Sequence, residues 1–249
     1  MNVNVLHYKE IDSTNAEARR LSKEGAESGL VVTAKKQSAG KGRRGRSWES
    51  PADENLYFSL MLRPIIVPEM APMLTLVMAY SVAKVLQKEG IHVLIKWPND
   101  LVISEKKVCG ILTEMNLSGT QVEDVIIGVG LNVNTMKFPE ELEDKATSLR
   151  KETLREFECG ELLGLILEEF DKNYENFLEN QDLEFLQEDY NEMLINRARQ
   201  VMVLEPGKEY LAKAQGINKM GELLVRKEDG STEAVFAGEV SVRGLYGYV

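Results

Sequence analysis

Between Lys35 and Trp48 the chain reads KKQSAGKGRRGRSW: six cationic side chains, three glycines and no acid, in a protein of 249 residues whose formal net charge is -10. Gly40, Gly42 and Gly45 let backbone N–H groups come close to an anion, while Lys41, Arg43, Arg44 and Arg46 supply charge. The chemistry such a stretch suits is the holding of a phosphate-bearing small ligand. A basic glycine-rich run also fits a solvated loop, a nucleic-acid patch or a localisation signal. Nucleic acid fits less well, because the basic segment is single, Trp48 is the one stacking aromatic nearby and no nucleic-acid module is recognisable. Neither GxxxxGK[ST] nor a strand-linked GxGxxG is present.

Four further stretches carry polar groups at suggestive spacing: EIDSTN (Glu10–Asn15), KWPNDL (Lys96–Leu101), KKVCGILTE (Lys106–Glu114) and GVGLNVN (Gly128–Asn134). Taken with the basic loop, and in this order, they resemble the biotin protein ligases, from about residue 5 to the end of the chain. Biotin presents a polar ureido ring, an apolar body and a carboxylate, so a pocket for it needs a few hydroxyl and amide partners at one end and apolar walls along the rest. The resemblance puts Ser13, Thr14, Asn15 and Gln37 at the polar end. On their own these residues also read as helix caps, with Asn15 exposed. It assigns Lys41, Gly42 and Arg43 to the biotin loop, Lys107 to the carboxylate, and Gly110 and Leu112 to the lining strand. Lys41 stands where the family often has arginine; it keeps the charge but has no bidentate fork.

The same resemblance places Arg46 on the nucleotide phosphates, Trp48 against adenine, and Lys96, Asn99 and Asn132 near the triphosphate. Asp100 would sit beside a Mg²⁺ ion. The implied reaction has two halves: biotin and ATP give biotinyl-5′-adenylate, and a lysine of a biotin carboxyl carrier protein then takes the biotinyl group. Lys107, Arg43 and Asp100 are the residues expected to carry the chemistry, and the loop is expected to close over the adenylate. A homodimer is implied as well. Some members of the family carry an N-terminal DNA-binding helical domain; Ser13 lies a dozen residues from the start, so no such domain and no sequence-specific DNA contact are expected. A lipoate ligase, which shares the general catalytic fold, and a non-enzymatic RNA-binding module are the competing readings.

These residues need elements to hold them. VLHYKEI, LVVTAKKQ, NLYFSLMLR, VLIKWP, LVISEKKVCGILTEMNL and DVIIGVGLNVN read as strands, the fifth as a strand pair about a polar turn. STNAEARRLSKEG and Met70–Glu89 read as helices. The expected fold is α+β: a mixed or antiparallel sheet with helices packed on one face, like the biotin ligase catalytic fold. Beyond Arg197, short β-rich runs separated by EPGKE, NKMG and KEDGS suggest a small SH3-like barrel closed by RGLYGYV. The expected division is residues 1–197 and 198–249. From Glu152 to Glu192 fourteen acids face only Arg155 and Lys172, while Leu163, Leu167, Phe170, Tyr174 and Phe177 recur at helical spacing, as on an amphipathic helix with a solvated acidic face. Two cysteines, Cys109 and Cys159, give no disulfide framework, and the N-terminus lacks a secretory pattern, so a cytoplasmic protein is expected. The apolar run Met70–Leu86 contains Pro72 and Lys84 and falls short of the roughly 20 residues that span a bilayer; no membrane role is expected.

Overall fold

Strand β3 (Leu56–Leu62) is buried along its whole length, and its alternating side chains show how the molecule is layered. Leu56, Phe58, Leu60 and Leu62 enter the main core, whereas Met61 joins a second, smaller cluster with Ala18, Leu30, Val32 and Ile126. Because successive side chains in a strand point to opposite faces, the sheet carries helices on both sides. The computed structural model describes residues 1–50, 54–205, 207–237 and 241–244.

The sheet has seven strands: β1 (Asn4–Ile11), β2 (Leu30–Gln37), β3, β4 (Leu94–Lys96), β5 (Asp100–Ile103), β6 (Lys106–Ser118) and β7 (Gln121–Leu131), in the spatial order β1-β2-β3-β7-β6-β5-β4. Only β1 and β2 run parallel; every other neighbouring pair is antiparallel. Helix α1 (Thr14–Lys23) crosses between the parallel pair and packs on one face, with Ala18 in the smaller cluster. The opposite face takes α2 (Met73–Lys88), which in turn packs against α5 (Cys159–Asn180). The expectation of helices on one face is therefore corrected by α1, which lies on the other.

Helix α2 begins after Pro72, whose fixed φ suits a helix start and not its interior. It is apolar nearly all round because the sheet covers one side and α5 the other. With the preceding turn, the segment Pro68–Lys88 is 21 residues long and apolar enough to cross a membrane by length and composition, yet most of it is buried within the protein. The sequence placed this run below spanning length; the structure extends it and explains its apolarity by core packing. Short helices α3 (Glu140–Glu143) and α4 (Leu149–Thr153) follow β7. Leu163, Leu167, Phe170, Tyr174 and Phe177 are all buried on α5, leaving Glu161, Glu168, Glu175 and Glu179 to solvent, and α6 (Glu184–Met193) leads into the last part of the chain.

There β8 (Gln200–Glu205), β9 (Lys208–Ile217), β10 (Leu223–Arg226), β11 (Thr232–Val235) and β12 (Ser241–Gly244) form a second, antiparallel sheet in the order β11-β10-β9-β8-β12. Positive φ at Gly221 and Gly230 makes the turns before β10 and β11. Of the RGLYGYV run, Arg243 and Gly244 belong to β12; the remaining five residues lie outside the described residues. Val201, Val203, Ala214, Leu223 and Val225 share one continuous core with α2, Trp97 and the large sheet.

Candidate functional site

On the α1 side of the sheet a cleft opens between α1, strands β6 and β7, and the basic loop. Its floor exists because glycines occur where strands pass beneath it. Gly110 pairs with Gly130, and Leu112 with Gly128, across β6 and β7. A Cβ on Gly110 or Gly130 would lie 2.7 or 2.5 Å from the Trp48 ring, and one on Gly128 would lie 2.0 Å from Asn15 Oδ1. The missing side chains thus make room for one aromatic and one amide.

The polar end is a directional hydrogen-bond network. Gln37, the last residue of β2, accepts at Oε1 from the Thr14 backbone N–H at 2.8 Å and from Thr14 Oγ1 at 3.2 Å, and its Nε2 donates to Ser50 Oγ at 3.0 Å. Ser59 Oγ lies 2.8 Å from Thr14 Oγ1 and 2.6 Å from Asn15 Oδ1. Asn15 Nδ2 donates to Glu114 Oε2 at 2.8 Å and more distantly to the Leu112 carbonyl at 3.4 Å. Ser13 occupies the N-cap position of α1, but its side chain makes no capping bond, and Asn15 is buried, not exposed. The capping reading of these residues gives way to a pocket-lining one.

At the other end the charges gather. The basic loop closes on itself through Gly42 N–H to the Arg46 carbonyl at 2.7 Å and Trp48 N–H to the Gly40 carbonyl at 2.9 Å. Arg44 and Gly45 both turn with positive φ, which holds the strand-like arms together at Lys41 and Ser47. Arg43 folds inward, donating from Nη1 to Asn99 Oδ1 at 3.1 Å and from Nη2 to the Ala237 carbonyl at 2.8 Å. Burial pushes its pKa down, and Asp100 opposes that shift while Arg44 and Arg46 add to it; a guanidinium stays charged regardless. Lys107 Nζ stands 2.6 Å from Asp100 Oδ1 and 5.1 Å from the centre of the Trp48 ring. Asn99 donates to Asp100 Oδ1 at 3.0 Å and to the Ile111 carbonyl at 3.1 Å, so the turn of KWPND orients the carboxylate. The Trp48 indole N–H is buried with no hydrogen-bond partner among the described residues.

The cleft brings together Ser13, Thr14, Asn15 and Gln37 at one end; Lys41, Gly42, Arg43 and Trp48 on the loop; Asn99 in the turn before β5; and Lys107, Gly110 and Leu112 on β6. Asp100 reaches it through Lys107 and Asn99. Three expected nucleotide residues do not line it. Arg46 is exposed on the loop. Lys96 is buried on β4. Asn132 is buried and spends its Nδ2 on the Thr147 carbonyl at 3.0 Å, which ties down the segment after β7. Residues the sequence reading did not assign are Ser59, Glu114, Gly128, Ile111, Val129 and Gly130. Ser59 was signalled as the one polar side chain within LYFSLML, and Gly128 and Gly130 by their alternate spacing on one strand face.

Over residues 8–132 the chain matches the Biotin/lipoate A/B protein ligase family, and over residues 199–243 the Biotin protein ligase C terminal domain. The chain belongs to the biotin protein ligase family. It is 34% identical to the bifunctional ligase/repressor BirA of Bacillus subtilis, across 92% of this chain and 71% of that one. It is 30% identical to the biotin–[acetyl-CoA-carboxylase] ligase of Mycobacterium tuberculosis, across 92% and 85%. Among solved structures, the biotin protein ligase from Aquifex aeolicus in complex with biotin and ATP superposes with a TM-score of 0.84 at 32% identity, covering 97% of this chain and 99% of that one. The mixed sheet and the appended small sheet are the fold of that family.

Proposed function

We propose that the chain activates biotin with ATP and passes the biotinyl group to a lysine of a biotin carboxyl carrier protein. The observation that carries this reading is the polarity of the cleft: a hydroxyl and amide network at one end and the cations Arg43 and Lys107 at the other, with the apolar walls of Ile111, Leu112 and Val129 between them. A neutral heterocycle linked by an alkyl chain to a carboxylate matches that order of groups.

A carboxylate is ionised at neutral pH, so its attack on the α-phosphorus needs no general base; the difficulty is to bring two anions together. In this reading Lys107 holds the carboxylate and Arg43 the phosphate that receives it, each within a low-dielectric cleft where such contacts gain strength. A carboxylate oxygen bonds to the α-phosphorus, the bond to the bridging oxygen of the β-phosphate breaks, and pyrophosphate leaves. In the second half a neutral ε-amine attacks the acyl carbon, loses its proton and displaces AMP. Mg²⁺ would neutralise charge on the phosphates. No group of three His, Cys, Asp or Glu that could hold a metal ion occurs among the described residues, and Asp100, steadied by Asn99, would offer one carboxylate to an ion that arrives with nucleotide phosphates and keeps its waters.

Three further statements belong to the same proposal. The catalytic unit is residues 1–197 and the small barrel residues 198–249. Two copies associate as a homodimer, supported by the edge of β6 beyond Ile111, which pairs with β7 alone. The protein works in the cytoplasm, in keeping with free thiols at Cys109 and Cys159. The deciding experiment incubates the chain with ATP, Mg²⁺ and either biotin or lipoate and measures pyrophosphate. Release with biotin and not with lipoate is expected; release with lipoate alone would move the chain to the lipoate branch of the family, and none with either would defeat the proposal.

A further inference from the structure

Asn15 is held from both sides. Its Nδ2 faces two acceptors, the Glu114 carboxylate at 2.8 Å and the Leu112 carbonyl at 3.4 Å, while its Oδ1 faces the Ser59 hydroxyl at 2.6 Å. Turning the amide over would set Oδ1 against a carboxylate and a carbonyl, three acceptors with no proton among them. Glu114 is itself fixed by Arg19, whose Nη2 lies 2.9 Å from Oε1. Both amide protons of Asn15 are therefore spent on the protein, and what the side chain can still offer the cleft is a lone pair on Oδ1. Thr14 belongs to the same network: its Oγ1 lies 3.2 Å from Gln37 Oε1, which is fixed as an acceptor by the Thr14 backbone N–H, and 2.8 Å from Ser59 Oγ.

We infer that Glu114, braced by Arg19, is a positioning residue that presents Asn15 as an acceptor and so selects a head group carrying ring N–H donors. The inference rests on the ligase reading and deepens it. A cyclic urea supplies such donors; a dithiolane supplies none and would leave the second lone pair of the buried Asn15 Oδ1 without a proton, which is the costly side of hydrogen-bond recognition. Ser59 and Gly128 serve the same arrangement, the first by donating to Asn15 Oδ1 and the second by leaving the space that oxygen occupies.

The test compares Glu114→Leu, Glu114→Gln and the parent on biotin and on the two N-methylbiotins, each of which lacks one ring N–H. Glu114→Leu frees the amide to turn. It should raise KM for biotin roughly ten-fold or more with little change in kcat, while use of the disfavoured N-methylbiotin stays within about three-fold of the parent's. Glu114→Gln keeps an acceptor oxygen and should restore biotin use to within about three-fold of the parent. A Leu variant with the parent's KM, or one that loses both substrates by the same factor, overturns the inference. If Glu114→Leu does not fold, Ser59→Ala carries the same comparison, with the same two outcomes against it. A parent that releases no pyrophosphate with biotin defeats the ligase reading itself, whereas an active parent with an indifferent Glu114→Leu defeats only the selection.

Discussion

At Lys107 several contacts meet in one ammonium: Asp100 at 2.6 Å, the Trp48 ring at 5.1 Å, and the bare α-carbon of Gly110 beside it. Read from sequence as a hairpin lysine it would be solvated; in the fold it is half-buried and already holds one carboxylate, in the place where a second would arrive. Lys107→Ala should lower biotin-dependent pyrophosphate release by roughly a hundred-fold. Because Asp100 keeps the Asn99 bond, the fold should lose only about 1–2 kcal/mol, measurable by thermal melting. Gly130→Ala should act through the nucleotide instead. The added Cβ would land 2.5 Å from the Trp48 ring, and the indole, carried on the loop, must shift away from the strand, so KM for ATP should rise with little change in melting temperature. The two thiols should stay out of the chemistry altogether. Burial pushes Cys159 up to about 11 and raises Cys109 further, so the nucleophilic thiolate is scarce at neutral pH. Alkylation of the native protein should be slow near pH 7 and faster as pH climbs toward about 11, read by intact mass.

Among the elements, the basic loop is the one whose shape depends on distant partners. Arg43→Gly removes its bonds to Asn99 and to the Ala237 carbonyl, 194 residues away in sequence, so the loop should no longer stay over an adenylate. Escaped adenylate would label bystander lysines, which mass spectrometry can count; a variant that retains adenylate as long as the parent would show that Arg43 does not hold the loop. The strands around this loop were legible because period-two patterns and turn residues are local. The family resemblance, not a local pattern, named lining residues such as Gln37, Lys107 and Gly110. The rest was not local. Nothing in STN says that Asn15 meets Ser59 on β3 and Glu114 on β6, because pairing register, not spacing, brings them together. Asn132 shows the converse: it follows the glycines of the floor in sequence, yet the strand has ended and its amide ties down a neighbouring segment.

For the molecule as a whole, the small sheet is packed into the core and is not hung from the end. Trp97, in the middle of KWPND, is buried and donates its indole N–H to the Gly221 carbonyl at 3.0 Å, in the turn before β10. Gln187 and Asn191 on α6 hold Ile217 of β9 by its carbonyl at 2.9 and 3.3 Å, and Asn191 accepts from its N–H at 2.7 Å. Removing residues 199–249 would uncover the apolar side of this junction, so the truncated chain should aggregate or melt well below the parent. A truncated chain that melts like the parent and modifies its carrier at the same rate would show the sheet to be dispensable.

The chain has only two tryptophans, and they stand at two separate seams. Trp48 lies in the cleft beneath a cation, whereas Trp97 is sealed under the small sheet. Intrinsic fluorescence therefore carries two independent signals. Emission from a Trp97→Phe variant should change if ligand binds at the loop, and emission from a Trp48→Phe variant should shift to the red only when water reaches the junction. Loop ordering and detachment of the small sheet can thus be timed separately, in one protein, without an added label.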